Sequence, residues 1–308
     1  MTLSYSLRLV YFCFACFFLV HAVVTICVRG FAARAIARAE KMNAARAARF
    51  LLALRLSPAA AGLLAVAGFC VPSYLWLEPD IASEDATVLG LIAAIAGLAM
   101  GAGAILRALL AAFRAREFAR ECARIGVERG GRITIPHAGR LMALVGVFRP
   151  RLIVSSDVEA ALDPQQFDAA LRHEGMHQAS RDNLKQLLML LAPGWFLRGL
   201  EHGWKKHAEC AADDRAAAGD PQRAIQLASA LVRVARIRPG EAPPALATSL
   251  LREQSELAAR VERLLEPPPA AIAGRSWKWP LAGVVAALAL LSPPGLSLVH
   301  RILERLMD

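Results

Sequence analysis

Residues 163–182 read DPQQFDAALRHEGMHQASRD. Asp163 can cap the free amides of a helix, Pro164 suits the first helical position, and Gln166 stands where a capping box wants Glu or Gln. The pattern predicts a helix from Pro164 to about Ser180. On it, His173 and His177 are one turn apart and share a face, so both imidazoles can reach one ion. Glu174, next to the first histidine, is then placed to take a proton from an attacking water. With 7 His in the chain, about 0.007 occurrences of His-Glu-x-x-His are expected by chance. The alternative is a polar helix face with two histidines and no metal.

A hydrolytic zinc site needs a third protein ligand and an open position. Downstream stand Glu201, His202, His207 and Glu209. Glu209 is preferred because Asp213 follows on the same helical face, where a carboxylate can accept the outer ring N–H of a ligand histidine. The competing reading makes Glu209 and Asp213 a solvated acidic face near Arg215. His202 and His207 read as surface residues at helix ends, either one able to assist an oxyanion. His137 and His21 have no evident partners. A carboxylate-bridged di-iron site would need a second Glu-x-x-His, which the chain lacks.

Around this helix, residues 114–276 suffice for one hydrophobic core. They open with a helical stretch, Ala115–Ile125. Gly131–Pro136 and Pro150–Ser155 are β-rich and predict a small hairpin or sheet edge. Leu187–Leu191 is apolar but too short to span a membrane, which favours a buried core helix over a re-entrant segment. Helices are predicted near Lys205–Ala218, Pro221–Arg236 and Leu250–Leu265, with loops at Pro239–Ala247 and Pro267–Ala273.

Beyond these limits the chain turns apolar. Leu9–Val28, Leu56–Leu77 and Thr87–Leu106 carry no Asp, Glu, Lys or Arg. Each reaches the roughly 20 residues that cross a ~30 Å hydrocarbon core. Leu281–Val299 is a fourth run, preceded by Trp277 and Trp279 and interrupted by Ser292-Pro293-Pro294-Gly295. The first run exceeds the ~7–15 residues of a signal-peptide core and is followed at once by base, so it reads as a retained span. Hydrophobic residues make up 56% of the chain and charged ones 20%, which excludes a disordered or collagen-like chain and a small disulfide scaffold.

The formal charge of +10 is explained by its distribution. Arg29, Arg34, Arg38, Lys41, Arg46 and Arg49 lie between the first two runs, against Glu40 alone. Glu78, Asp80, Glu84 and Asp85 lie between the second and third, without base, and five arginines from Arg107 to Arg124 follow the third. The positive-inside rule then puts residues 29–55 and the stretch after 107 in the cytoplasm and both termini outside. No direct nucleic-acid binding is needed to account for the charge. The Ala- and Arg-rich segment 29–49 reads equally as a solvated loop or as a helix lying on anionic lipid. Four of the six cysteines lie inside the runs; Cys13-x-x-Cys16 has no other ligand near it in its run and reads as apolar filling.

Four spans with a domain between the third and fourth, His173-Glu174-x-x-His177, and then Glu209-x-x-x-Asp213 resemble the BlaR/MecR-type integral-membrane zinc metallopeptidases. Gly146 with Phe148–Ser155 is similar to that family's approach segment. His177–Asn183 is similar to its "H-x-x-R-x-D-N" continuation, and Leu257–Leu265 to its late helix. The resemblance implies a mainly α fold: four transmembrane helices (about 9–28, 56–77, 87–106 and 281–299) in residues 1–113 and 277–308, with an α+β zincin-like domain and a small β-sheet in 114–276. It implies one Zn2+ per chain on His173, His177 and Glu209, Glu174 as catalytic base, and Asp213 behind a ligand histidine. It also implies an inner-membrane enzyme that cleaves a cytoplasmic transcriptional repressor, and itself, with the Pro-rich loop Pro239–Ala247 as an accessible place for self-cleavage. The family's β-lactam sensors carry a penicillin-binding domain beyond the fourth span. Here only His300–Asp308 stands there and no Ser-x-x-Lys occurs, so a signal is expected through the bilayer-embedded helices, the acidic segment Glu78–Asp85 or a sensor partner protein. An extended substrate is expected to pair with an edge strand at Leu152–Ser155. Two other classes compete: a signalling scaffold whose zinc is structural, and a transporter, for which the runs offer few ionisable groups besides His21.

Overall fold

The computed structural model describes residues 5–77, 87–240, 242–250 and 256–266. The fourth apolar run, the acidic segment Glu78–Asp85 and the loop Pro267–Ala273 lie outside the described residues.

Among the described residues three helices are long and apolar enough to cross a membrane. Helix α1 (Tyr5–Glu40) has 36 residues, a length of ~54 Å at ~1.5 Å per residue, well beyond a ~30 Å hydrocarbon core. A short turn follows, and Asn43 caps α2 (Ala44–Ala65) by accepting from the Ala45 amide at 3.0 Å. A π turn (Val66–Cys70) leads into α3 (Val71–Leu77). Here the Val71 amide bonds Val66 O, five residues back, just before Pro72, which has no N–H to offer a regular helix. Helix α4 (Val88–Ile125) has 38 residues and starts on the Thr87 side chain. Large apolar side chains such as Ile26, Leu64, Ile92 and Leu98 face outward. Such a belt is costly in water and at no cost in lipid. Where α1 and α4 cross, a Cβ on Gly97 would run into the Phe14 carbonyl, so a small residue sets the approach.

One expectation changes for the helices. The Arg-rich segment 29–49 is not a loop: α1 continues to Glu40 and α2 begins at Ala44. The stretch Ala115–Ile125 is helical as expected and forms the unbroken end of α4. Cys70, in the π turn, also contacts both Cys13 and Cys16, a neighbour that the sequence spacing does not show.

The sheet has five strands: β1 (Val127–Arg129), β2 (Arg132–Ile135), β3 (Met142–Val145), β4 (Arg151–Ser155) and β5 (Ala247–Ser249), in the order β1-β2-β4-β3-β5. β1 and β2 form a hairpin around Gly130-Gly131, both at positive φ, the backbone that a tight primed turn requires. The two segments expected to form a hairpin or sheet edge, 131–136 and 150–155, run parallel as β2 and β4, while β3, from the connection between them, pairs antiparallel on the other side of β4. β4 is therefore interior and cannot accept an added strand; the sheet ends at β1 and β5.

After α5 (Ser156–Ala161) comes α6 (Pro164–Ser180), with the expected bounds and a complete capping box. Then follow α7 (Asp182–Leu191), a 3-10 turn (Trp195–Leu197), α8 (Arg198–Ala217), α9 (Pro221–Arg236) and α10 (Leu257–Leu265). One sheet face packs on α4 through Ile133, Ile135, Ala143, Val145 and Ile153 against Ala111, Ala115 and Cys122. The other, through Met142 and Val154, meets α6 and α9 at Ala169, Ala170, Leu227 and Leu231. A third core joins the ends of α1 and α2 to α8: Val28, Ala39, Ala47 and Leu51 surround Leu200, Trp204 and Ala208. The helix that carries Glu209 thus rests on the membrane helices.

Candidate metal centre

Helix α6 lies between the sheet and α8, which buries its His173–His177 face completely: His173 is 0%, Glu174 1% and His177 1% exposed. The Nε2 atoms of His173 and His177 are 3.1 Å apart. Glu209, from α8, brings Oε2 to 3.5 Å from His173 Nε2 and Oε1 to 3.5 Å from His177 Nε2. Donor atoms of these three residues all lie within 4.8 Å of one another, close enough to hold a metal ion.

Each imidazole is held from behind. Asp213 Oδ1 lies 2.9 Å from His173 Nδ1, and Asp182 Oδ2 lies 2.7 Å from His177 Nδ1. Carboxylates at both Nδ1 positions favour the tautomers with protons there, which leaves the Nε2 lone pairs facing each other and Glu209. Lone pairs in such contact repel unless a cation or protons stand among them. The donor set therefore fits a metal.

Asp213, one turn from Glu209, is fully buried and takes two hydrogen bonds at 2.8 Å from Arg260 Nε and Nη2 of α10. Arg260 Nη1 donates to Leu250 O at 3.0 Å and lies 3.2 Å from Glu209 Oε2. One guanidinium thus aligns both acids of α8. Asp182 is fixed in turn by Lys185 Nζ at 2.7 Å, and the next residue, Asn183, donates to Leu144 O and Gly146 O at 2.9 and 2.7 Å, tying α7 to the sheet. Asp182 and Arg260 have no role in a reading from spacing alone, because their partners are set by tertiary contacts; both stand inside the family-like segments.

The electrostatics follow. Burial pushes Glu209 up, but the His177 imidazole and the Arg260 guanidinium outweigh it and hold the carboxyl well below its usual range. Asp213 is likewise pushed up by burial and drawn down to about 2 by Arg260 and His173. Burial lowers His177, yet Glu209 and Asp182 raise it well above an ordinary histidine, and Asp213 and Glu209 raise His173 against its own burial. Glu174 differs: burial raises it to about 7, and both of its carboxyl oxygens are buried without a hydrogen-bond partner among the described residues. A buried carboxyl with that value and nothing to bond suits proton transfer rather than structure.

A cleft opens onto His177 and Glu209, lined also by His202, Trp204, Lys205, Thr248 and Arg260. Of the two histidines considered for an oxyanion, His202 lies in this wall, while His207 is buried near Lys206, Glu40 and Arg263 rather than at the surface. Glu209 and Asp213 are not a solvated acidic face, and Arg215 instead bonds Ser180. His137 pairs with Asp157 at 3.2 Å, and His21 Nε2 lies 3.1 Å from Pro193 O; neither meets the cluster. No family model, no curated protein and no solved structure matches this chain.

Proposed function

We propose that this chain is a membrane-embedded zinc metalloendopeptidase, similar to the BlaR/MecR type, with a zincin-like domain whose active site faces the cytoplasm. The observation that carries the reading is the meeting of His173, His177 and Glu209 beside the buried, unpartnered Glu174. Two imidazoles and one carboxylate are the ligand set of hydrolytic zinc sites, and they leave one coordination position free. When bound, zinc supplies Lewis acidity to the scissile carbonyl and to the attacking water.

The residues of this chain do the rest. Glu174 takes a proton from the water and returns it to the leaving amine, which its elevated pKa suits. Asp182 and Asp213 hold the outer nitrogens of the two histidines, and Arg260 keeps Asp213 and Glu209 ionised and in place. Since β4 is interior, an extended substrate adds at β5, whose Thr248 lines the cleft.

Positive-inside charge places the domain in the cytoplasm, with Leu281–Val299 as a fourth span and both termini outside. The substrate class is a cytoplasmic protein such as a transcriptional repressor, with a sensor partner supplying the signal. The scaffold reading gives Glu174 nothing to do.

The test is a set of fluorescence-quenched peptides turned over by zinc-loaded, detergent-purified protein. Glu174→Gln should lower turnover by about 10²–10⁴-fold at unchanged metal content. Equal turnover by the variant would overturn the assignment, and a metal-loaded wild type inert toward both peptides and repressor would favour the scaffold.

A further inference from the structure

Apart from the metal centre, a second built site lies where the apolar runs of α2 and α4 end. Arg55 closes one run and Arg107 the other, and the α7–α8 connection packs against both. They share with Arg198 and Glu201 an open cavity of about 350 Å3, completed by the chain between Met189 and Gly194. That is the lower end of the ~300–1,000 Å3 typical of ligand sites.

Arg55 makes the cavity a site. Its side chain is 4% exposed. Nη2 donates to Met189 O and Ala192 O, both at 3.0 Å. Among the described residues Nε and Nη1 are buried and have no hydrogen-bond partner, an expensive state for a cation unless something arrives to accept from them. Room for the guanidinium is made by Gly194, where any Cβ would collide with it; the backbone there is extended, so the glycine is needed for space and not for its φ.

The surroundings point to an anion. Helix α8 begins at Arg198, directly after the 3-10 turn Trp195–Leu197, and carries no side-chain cap among the described residues. Among the described lining residues Glu201 is the one carboxylate, and Lys205 already bonds it at 2.8 Å. Two residues before Arg198, the exposed ring of Phe196 carries Arg29 over its face at 5.4 Å, an amphipathic pair of the kind that suits a membrane surface.

We propose that Arg55, Arg107 and Arg198 bind a phosphate-bearing anion, and that in the membrane this is the headgroup of an anionic phospholipid. Basic pockets between spans at the bilayer surface take such headgroups, and the guanidinium fork matches phosphate oxygens. Because Arg55 also holds the last turn of α7, whose first residue, Asp182, pairs with His177 of α6, the site lies one helix from the candidate metal cluster. The proposal does not depend on the peptidase reading.

The experiment is native mass spectrometry of the detergent-purified full chain, titrated separately with phosphatidylglycerol, phosphatidylcholine and inorganic phosphate. Wild type should retain phosphatidylglycerol over phosphatidylcholine. Arg198→Gln, an exposed position that should not disturb folding, should weaken retention about fivefold, and adding Arg107→Gln should multiply the loss. Arg49→Gln, on α2 outside the cavity, should change nothing. Phosphate adducts that disappear in the double variant, without lipid retention, would keep the site and assign it a soluble ligand. Binding of neither, or phosphatidylglycerol retention untouched by both variants, would overturn it.

Discussion

Asp182 and Asp213 show how much of a metal site lies behind its ligands. Replacing Asp182 by Asn should lower metal affinity by about 10–100-fold while α7 stays folded; competition with a chromophoric chelator measures it, and an unchanged affinity would reduce Asp182 to a helix-start residue. Arg260→Met strands the buried carboxylates of Asp213 and Glu209 and should cost about 3–5 kcal/mol of stability, read as a lower thermal midpoint in detergent. Protons compete with the metal for the Nε2 atoms. Since the neighbouring carboxylates raise both histidines in the metal-free site, affinity should start to fall at a higher pH than for an ordinary imidazole; chelator competition at pH 8, 7 and 6 would show it. At this scale spacing makes these residues legible: helical periodicity puts His173 with His177, and Glu209 with Asp213, on one face, and Glu174 stands beside the first histidine. Arg260 lies 47 residues from Asp213, and no local rule links them.

At the scale of elements, α6 is the best specified from sequence. Asp163 accepts from the amides of Gln165 and Gln166 at 3.1 and 2.9 Å, so Asp163→Ala should cost about 0.5–2 kcal/mol and lower the denaturation midpoint without removing the metal ligands. The strands were harder to read. All four residues of β3 are buried, which erases the apolar–polar alternation that marks a half-exposed strand, and β5 follows a Pro-rich stretch that resembles a loop. Helix ends past the bilayer escaped too: the arginines of 29–49 lie on helices whose alanines and Leu51 face α8, and charge alone signals a solvated segment.

In the whole molecule α1 and α2 share one core with α8, the helix that carries Glu209. Leu51→Ala, opposite Trp204, should therefore destabilise the protein by about 2–5 kcal/mol and accelerate metal loss to a chelator, although residue 51 touches no ligand. A variant with an unchanged release rate would mean that α8 is held without α2. The most direct test of the metal centre is metal content by mass spectrometry on detergent-purified wild type beside His177→Ala. About one zinc per chain, lost in the variant, is the expected result; a folded wild type without zinc, or a variant that keeps it, would contradict the site.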